Sequence, residues 1–131
     1  MAIPNGAGGY QYNDGNTGEA LLFVQGAPTA LTGAATITAA QLANGLFTFD
    51  GAAGAMTLPT VALLEAEVSS AAKINAAFTF AVVNIDSTDA VTVTAGTGWT
   101  LVGTAAVSAG ASSQWLARKT GDGTWTAYRI A

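Results

Sequence analysis

The sequence predicts a mainly β fold: an antiparallel β-sandwich or jelly-roll-like domain with one short α-helix at about residues 60–72 and an extended N-terminal arm. Three observations carry this. From residue 77 onward the chain consists of short alternating or continuous apolar runs broken by Gly, Asp and Asn. Only one segment longer than a single turn shows an apolar stripe at helical spacing, and residues 2–18 show neither period. At 131 residues the chain fits one β-domain at 20–131 behind an arm at 1–19, and a domain of this size buries about two thirds of its unfolded surface.

The arm is rich in Gly and Asn and punctuated by Tyr10 and Tyr12. It has too little apolar surface to fold on itself, so it is either mobile or ordered across a partner, with the tyrosines as anchors. Strands are then predicted at 21–25, 35–38, 46–50 and 55–58, separated by Gly26, Gly33, Asn44-Gly45 and the glycine-flanked loop at 51–54. Between the second and third, residues 38–43 suit a single helical turn, with Thr38 as its cap and Asn44-Gly45 as its stop.

The helix at 60–72 follows Pro59, takes Thr60 as N-cap, and places Val61, Leu64 and Val68 on one face, so that Glu65 and Glu67 point to water. Three turns are marginal in isolation, so the stripe must lie on a sheet, and Lys73 suits the C-terminal end. Five further strands are predicted at 77–85, 90–95, 99–103, 112–119 and 124–130. The intervening Asp86 to Asp89, Gly96-Thr97-Gly98, Ala109-Gly110 and Gly121-Asp122-Gly123 read as hairpin turns. Strand spacing of about 8 to 12 residues is that of a sandwich or barrel. No exact internal repeat is found.

Half of the residues are hydrophobic and 9% are charged, against about 25% in an ordinary soluble domain. A surface so poor in charge is expected to be covered by copies of itself or by another protein. The net charge of −4, with four scattered bases at Lys73, Arg118, Lys119 and Arg129, argues against nucleic-acid binding. No apolar run approaches the roughly 20 residues of a membrane span, and the first residues show no signal-peptide pattern, so no membrane partner is expected.

The sequence holds no histidine and no cysteine, which removes a Ser-His-Asp triad and thiolate chemistry. Ser70-Ala71-Ala72-Lys73 and Lys119-Thr120-Gly121 match the S-x-x-K and K-T-G fragments of serine β-lactamases. Ser70, however, falls near a helix end, where the dipole disfavours an anionic nucleophile, and the S-D-N element is missing. Glu65 and Glu67, two residues apart on a helix, diverge too far to act as paired carboxylates. Asn84, Asp86 and Asp89 offer oxygens for a calcium ion but lack EF-hand spacing, and read more simply as turn residues. Trp99, Trp115 and Trp125 could stack on sugars or pack in a core or interface. No catalytic residue, cofactor or metal is therefore expected.

One resemblance adds to this reading. Thr57-Leu58-Pro59-Thr60 opens an Ala-rich helix, Phe78-Thr79-Phe80-Ala81-Val82-Val83-Asn84 forms a strand, and Val91-Thr92-Val93-Thr94-Ala95-Gly96-Thr97-Gly98-Trp99-Thr100-Leu101-Val102-Gly103 follows. Then come Val107-Ser108-Ala109-Gly110 and the closing Trp125-Thr126-Ala127-Tyr128-Arg129-Ile130, with Ile37-Thr38-Ala39-Ala40-Gln41-Leu42 as a lead-in. In this order the pieces resemble a β-rich trimeric domain of structural proteins of tailed bacteriophages: capsid decoration (cement) proteins, head fibres and fibre tips. The family's Gly-Asp turn between helix and strand is replaced here by Lys73-Ile74-Asn75-Ala76-Ala77, and the arm has no counterpart.

The resemblance implies a homotrimer on the outer surface of the virion, bound to the major capsid protein and stabilising the assembled head. Tyr10 and Tyr12 would then lie in the capsid contact. The alternative within the same family is a fibre-tip adhesion module that touches host glycans through exposed tryptophans.

Overall fold

Alternating side chains sort the strands into two layers with the apolar core between them. A computed structural model describes residues 22–68 and 73–131. The chain visits the two layers in turn: β1 (Thr29–Leu31), β2 (Ala35–Thr36), α1 (Ala39–Asn44), β3 (Leu46–Phe49), β4 (Gly54–Thr57), α2 (Val61–Val68), β5 (Ala77–Asn84) and β6 (Val91–Thr94). It continues through β7 (Trp99–Val102), β8 (Ala106–Val107), β9 (Ser112–Gly121) and β10 (Thr124–Arg129). The six-stranded sheet has the order β1-β3-β5-β9-β10-β7 and the four-stranded sheet the order β2-β4-β6-β8. This is the predicted mainly β sandwich with a short helix.

The pairing within the sheets differs from the predicted antiparallel or jelly-roll scheme. Five of the eight strand pairs are parallel: β1 with β3, β3 with β5, β2 with β4, β4 with β6, and β10 with β7. Only β5 with β9, β9 with β10, and β6 with β8 are antiparallel. Of the predicted hairpins, Gly121-Asp122-Gly123 alone joins two paired neighbours; the other three turns carry the chain from one sheet to the other. Gly, Asp and Asn report that the chain turns, and hold no information on whether the next strand pairs with the last or crosses the core.

The parallel half is a stack of coils. Each of the first two coils has a strand in the larger sheet, a strand in the smaller sheet and a helix, and a third coil repeats both strands with a tight turn in place of the helix. The registers align Leu31, Phe49 and Asn84 in one sheet and Ala35, Met56 and Val93 in the other. Each coil buries its apolar face only against its neighbours, as in solenoid proteins.

Local chemistry explains the helices. Thr38 caps α1 by accepting from the Gln41 amide while the Gln41 side chain accepts from the Thr38 amide, a reciprocal capping box. Gly45 ends the helix at φ 79°, as predicted. In α2 the Thr60 hydroxyl accepts from the Leu63 amide at 3.3 Å, and Val61 and Leu64 are buried. Val68 is instead exposed, and residues 69–72 of the predicted helix lie outside the described residues. Gly51 admits the first coil against the second: a Cβ there would stand 2.1 Å from the Thr32 carbonyl oxygen.

The strand assignments also change. The predicted strand at 21–25 is not one over its described part; residues 22–28 have no regular pairing, and the first strand is β1. The short β8 went unpredicted because two residues carry no period. The core gathers Phe47, Phe49, Phe80, Met56, Leu42 and Leu64 with all three tryptophans. Phe80 stacks on Trp115 at 6.1 Å between centroids, and Trp125 lies 6.0 Å from Trp99.

Candidate functional site

The candidate residues scatter across the molecule. Tyr10, Tyr12 and Ser70 lie outside the described residues. Lys119, of the K-T-G fragment, is buried, and its Nζ donates to Glu65 Oε2 at 2.6 Å. This lysine therefore ties α2 to β9 and is not among the residues that line the groove between α1 and α2. Glu65 accordingly turns inward, against its predicted exposure, while Glu67 is exposed. A basic group on the core-facing side of β9 needs a counter-charge, and the helix supplies it.

The Asn84, Asp86 and Asp89 loop is occupied by its own turn. The Asn84 side-chain amide donates to the carbonyls of Asp89 and Val107, and its oxygen accepts from the Asp86 amide. Asp86 Oδ2 accepts from the amides of Thr88 and Asp89 and from the Thr88 hydroxyl. Those bonds, led by the Thr88 amide and then the Asp89 amide, hold the Asp86 carboxyl below its ordinary value. Among the described residues no group of three or more acidic side chains is placed to hold a metal ion.

Trp99, Trp115 and Trp125 are all buried, which corrects the expectation that exposed tryptophans meet glycans. Two indoles are satisfied inside the fold: Trp99 Nε1 donates to the Pro59 carbonyl at 2.8 Å and Trp115 Nε1 to the Ser113 hydroxyl at 2.9 Å. Trp125 Nε1 has no partner among the described residues. A domain this poor in large aliphatic residues on its longest strands uses the indoles to fill its interior.

What the structure does present is surface poor in charge, part of it apolar. On the six-stranded sheet the side chains facing away from the core are mixed: Leu46 beside Ala81, Thr48 beside Val83, Thr79 beside Leu116, and Leu116 beside Tyr128 and then Val102, with the polar Ser112, Gln114, Thr126 and Thr100 in the same rows. Arg118 is the single charged residue among them. Its guanidinium is engaged locally, donating to Asn75 Oδ1 and the Tyr128 hydroxyl at 2.8 Å each. Val102 and Ile130 are exposed at this face.

A second apolar feature is a groove of about 740 Å³ between α1, α2 and the turn at Gly96-Thr97. Ile37, Leu58 and Pro59 form its buried floor, and Leu63 stands on its rim, 59% exposed. The third is the segment before β1, where Leu22, Phe23 and Val24 are 82%, 85% and 98% exposed. Just after them Gln25 Nε2 donates to the Asn44 carbonyl at 2.7 Å and Asn44 Nδ2 to the Ala27 carbonyl at 2.9 Å. The chain is thus fastened to the C-terminal end of α1 immediately beyond the exposed triad.

The two ends of the stack are treated differently. At the end formed by β7 and β8, Arg129 reaches across and donates to the carbonyls of Thr104 and Ala106 at 3.0 and 2.7 Å. At the other end, nothing from residue 20 to residue 49 is charged, so β1, β2 and α1 have no charge to deter association. The sequence already contained this asymmetry, as a charge-free run of that length in a chain with twelve charged residues, eight acids and four bases.

No family model, curated protein or solved structure matches this chain.

Proposed function

We propose that the chain is a non-enzymatic structural protein that works by assembly: a homotrimeric capsid decoration protein held on the outer surface of a bacteriophage head through the major capsid protein, stabilising the shell. The observation that carries the assembly reading is the outward face of the six-stranded sheet, a broad surface with Arg118 as its one charge. A face with a single charge costs little desolvation of charge when it is buried, which favours contact with a protein partner. The order of motifs from Ile37 to Ile130 supports the phage-head reading within that class.

Two experiments separate the parts of the proposal. Light scattering on the purified chain measures whether it assembles alone. Adding it to undecorated heads of the phage that encodes it tests the partner: a protein that binds only the assembled shell raises the temperature at which the heads rupture, because a ligand stabilises the state it binds. Heads that neither bind the protein nor gain heat resistance would refute the decoration role.

A further inference from the structure

We propose that the Leu22-Phe23-Val24 segment of one copy inserts into the groove between α1 and α2 of the next copy, and that repeating this contact closes the oligomer. The inference rests on the assembly reading above and specifies its contact. Both halves are present in one chain. The segment has no regular pairing, is uncharged and is almost wholly exposed, and the groove presents Ile37, Leu58, Pro59, Leu63 and Ala66 among threonines, with Glu67 as its one charge.

Neither half is satisfied within the described chain. The segment is anchored at Asn44, the far end of α1 from the groove residues Thr38 to Ala40, and its exposure shows that its own groove does not receive it. A segment of three residues with an aromatic at its centre matches a groove of this size, since a buried aromatic in a preformed apolar pocket supplies most of the energy of many interfaces. A segment that enters a different surface on its neighbour makes a head-to-tail contact. Such contacts generate closed rings when the rotation closes, and a threefold ring is one of them.

The chain has no cysteine, so a designed pair reports without background. In the full-length chain, Phe23→Cys combined with Leu63→Cys is expected to form disulfides between copies on mild oxidation, giving covalent dimers and trimers on a non-reducing gel. Only intrachain disulfide, or none, would overturn the inference. Separately, Phe23→Asp and Leu63→Asp are each expected to reduce the mass in solution from three chains to one with the β-sheet circular dichroism unchanged, both positions being exposed. A Phe23→Asp protein that remains trimeric overturns this contact and leaves the assembly reading standing. A wild type that is monomeric at all concentrations overturns both.

Discussion

Lys119 of β9 and Glu65 of α2 form a 2.6 Å ion pair beneath the helix, joining residues 54 positions apart. The pair ties α2 to β9, and Leu63 of the same helix stands at the rim of the groove. The two partners are unequal. Lys119 is the more deeply buried, and loss of its counter-charge leaves an ammonium without a partner; Glu65 lies nearer to solvent and can rehydrate. Glu65→Ala is therefore expected to cost about 3–5 kcal/mol of unfolding free energy, the usual range for breaking a buried pair from one side. Lys119→Met should cost less, and combining Glu65→Leu with Lys119→Met should recover most of the loss. Urea unfolding of the three variants measures this directly, and equal losses from the two single changes would contradict the asymmetry.

Asp86 makes stability depend on acid. Its carboxyl sits below the ordinary value of 3.8 in the folded chain because the amides of Thr88 and Asp89 favour the charged form. A group whose pKa is lower folded than unfolded adds stability that is complete above the unfolded value and disappears as the pH falls through the folded one. Wild type should therefore lose stability faster than Asp86→Asn as the pH is lowered through and below 3.8. Parallel curves of melting temperature against pH would remove this role from Asp86.

Gly51 and Gly33 lie on the two stacked coils and test how closely those coils approach. A methyl group on Gly51 meets the Thr32 carbonyl oxygen at 2.1 Å and its carbon at 2.6 Å, and backbone cannot yield cheaply. Gly33 has open space. Gly51→Ala is expected to destabilise by about 1–3 kcal/mol, as overpacking does. Gly33→Ala should be neutral or add roughly a few tenths of a kcal/mol by restricting the unfolded chain. Thermal melts of both variants decide the matter, and similar melting temperatures would contradict the stacked arrangement.

Much of the local structure was legible from residues. Thr38 and Thr60 announced both helix starts, Asn44-Gly45 announced a stop, and the shared parity of Val91 with Val93 announced the buried side of β6. The pairing was not legible, because parallel strands are brought together across a whole coil and no short segment records the partner. A signal existed. Thr36-Ile37-Thr38 leading to Leu42 and Thr57-Leu58-Pro59-Thr60 leading to Leu64 repeat one design: a strand end, a buried aliphatic, a threonine cap, and a fully buried leucine four residues beyond the cap. A one-residue insertion, Pro59, disguised it. The inward turn of Glu65 was hidden for a related reason, since its counter-ion arrives from a strand 54 residues later.

For the candidate site, composition pointed to a property of the surface and to no particular place on it. The shortage of charge led to the expectation of a surface covered by a partner, and apolar groups are exposed in the groove and at Leu22 to Val24. The tryptophans were the natural candidates for contact and are instead interior, because their large apolar area favours burial where a core can take it. Phe23 is the exposed aromatic, inside a charge-free run that Gly26 and Pro28 separate from β1.

Assembly through a charge-poor surface is tested most directly by the mass of the chain in solution, measured by light scattering over a range of concentrations. The predicted result is three times the 13.0 kDa of one chain. A mass of one chain at every concentration would contradict it.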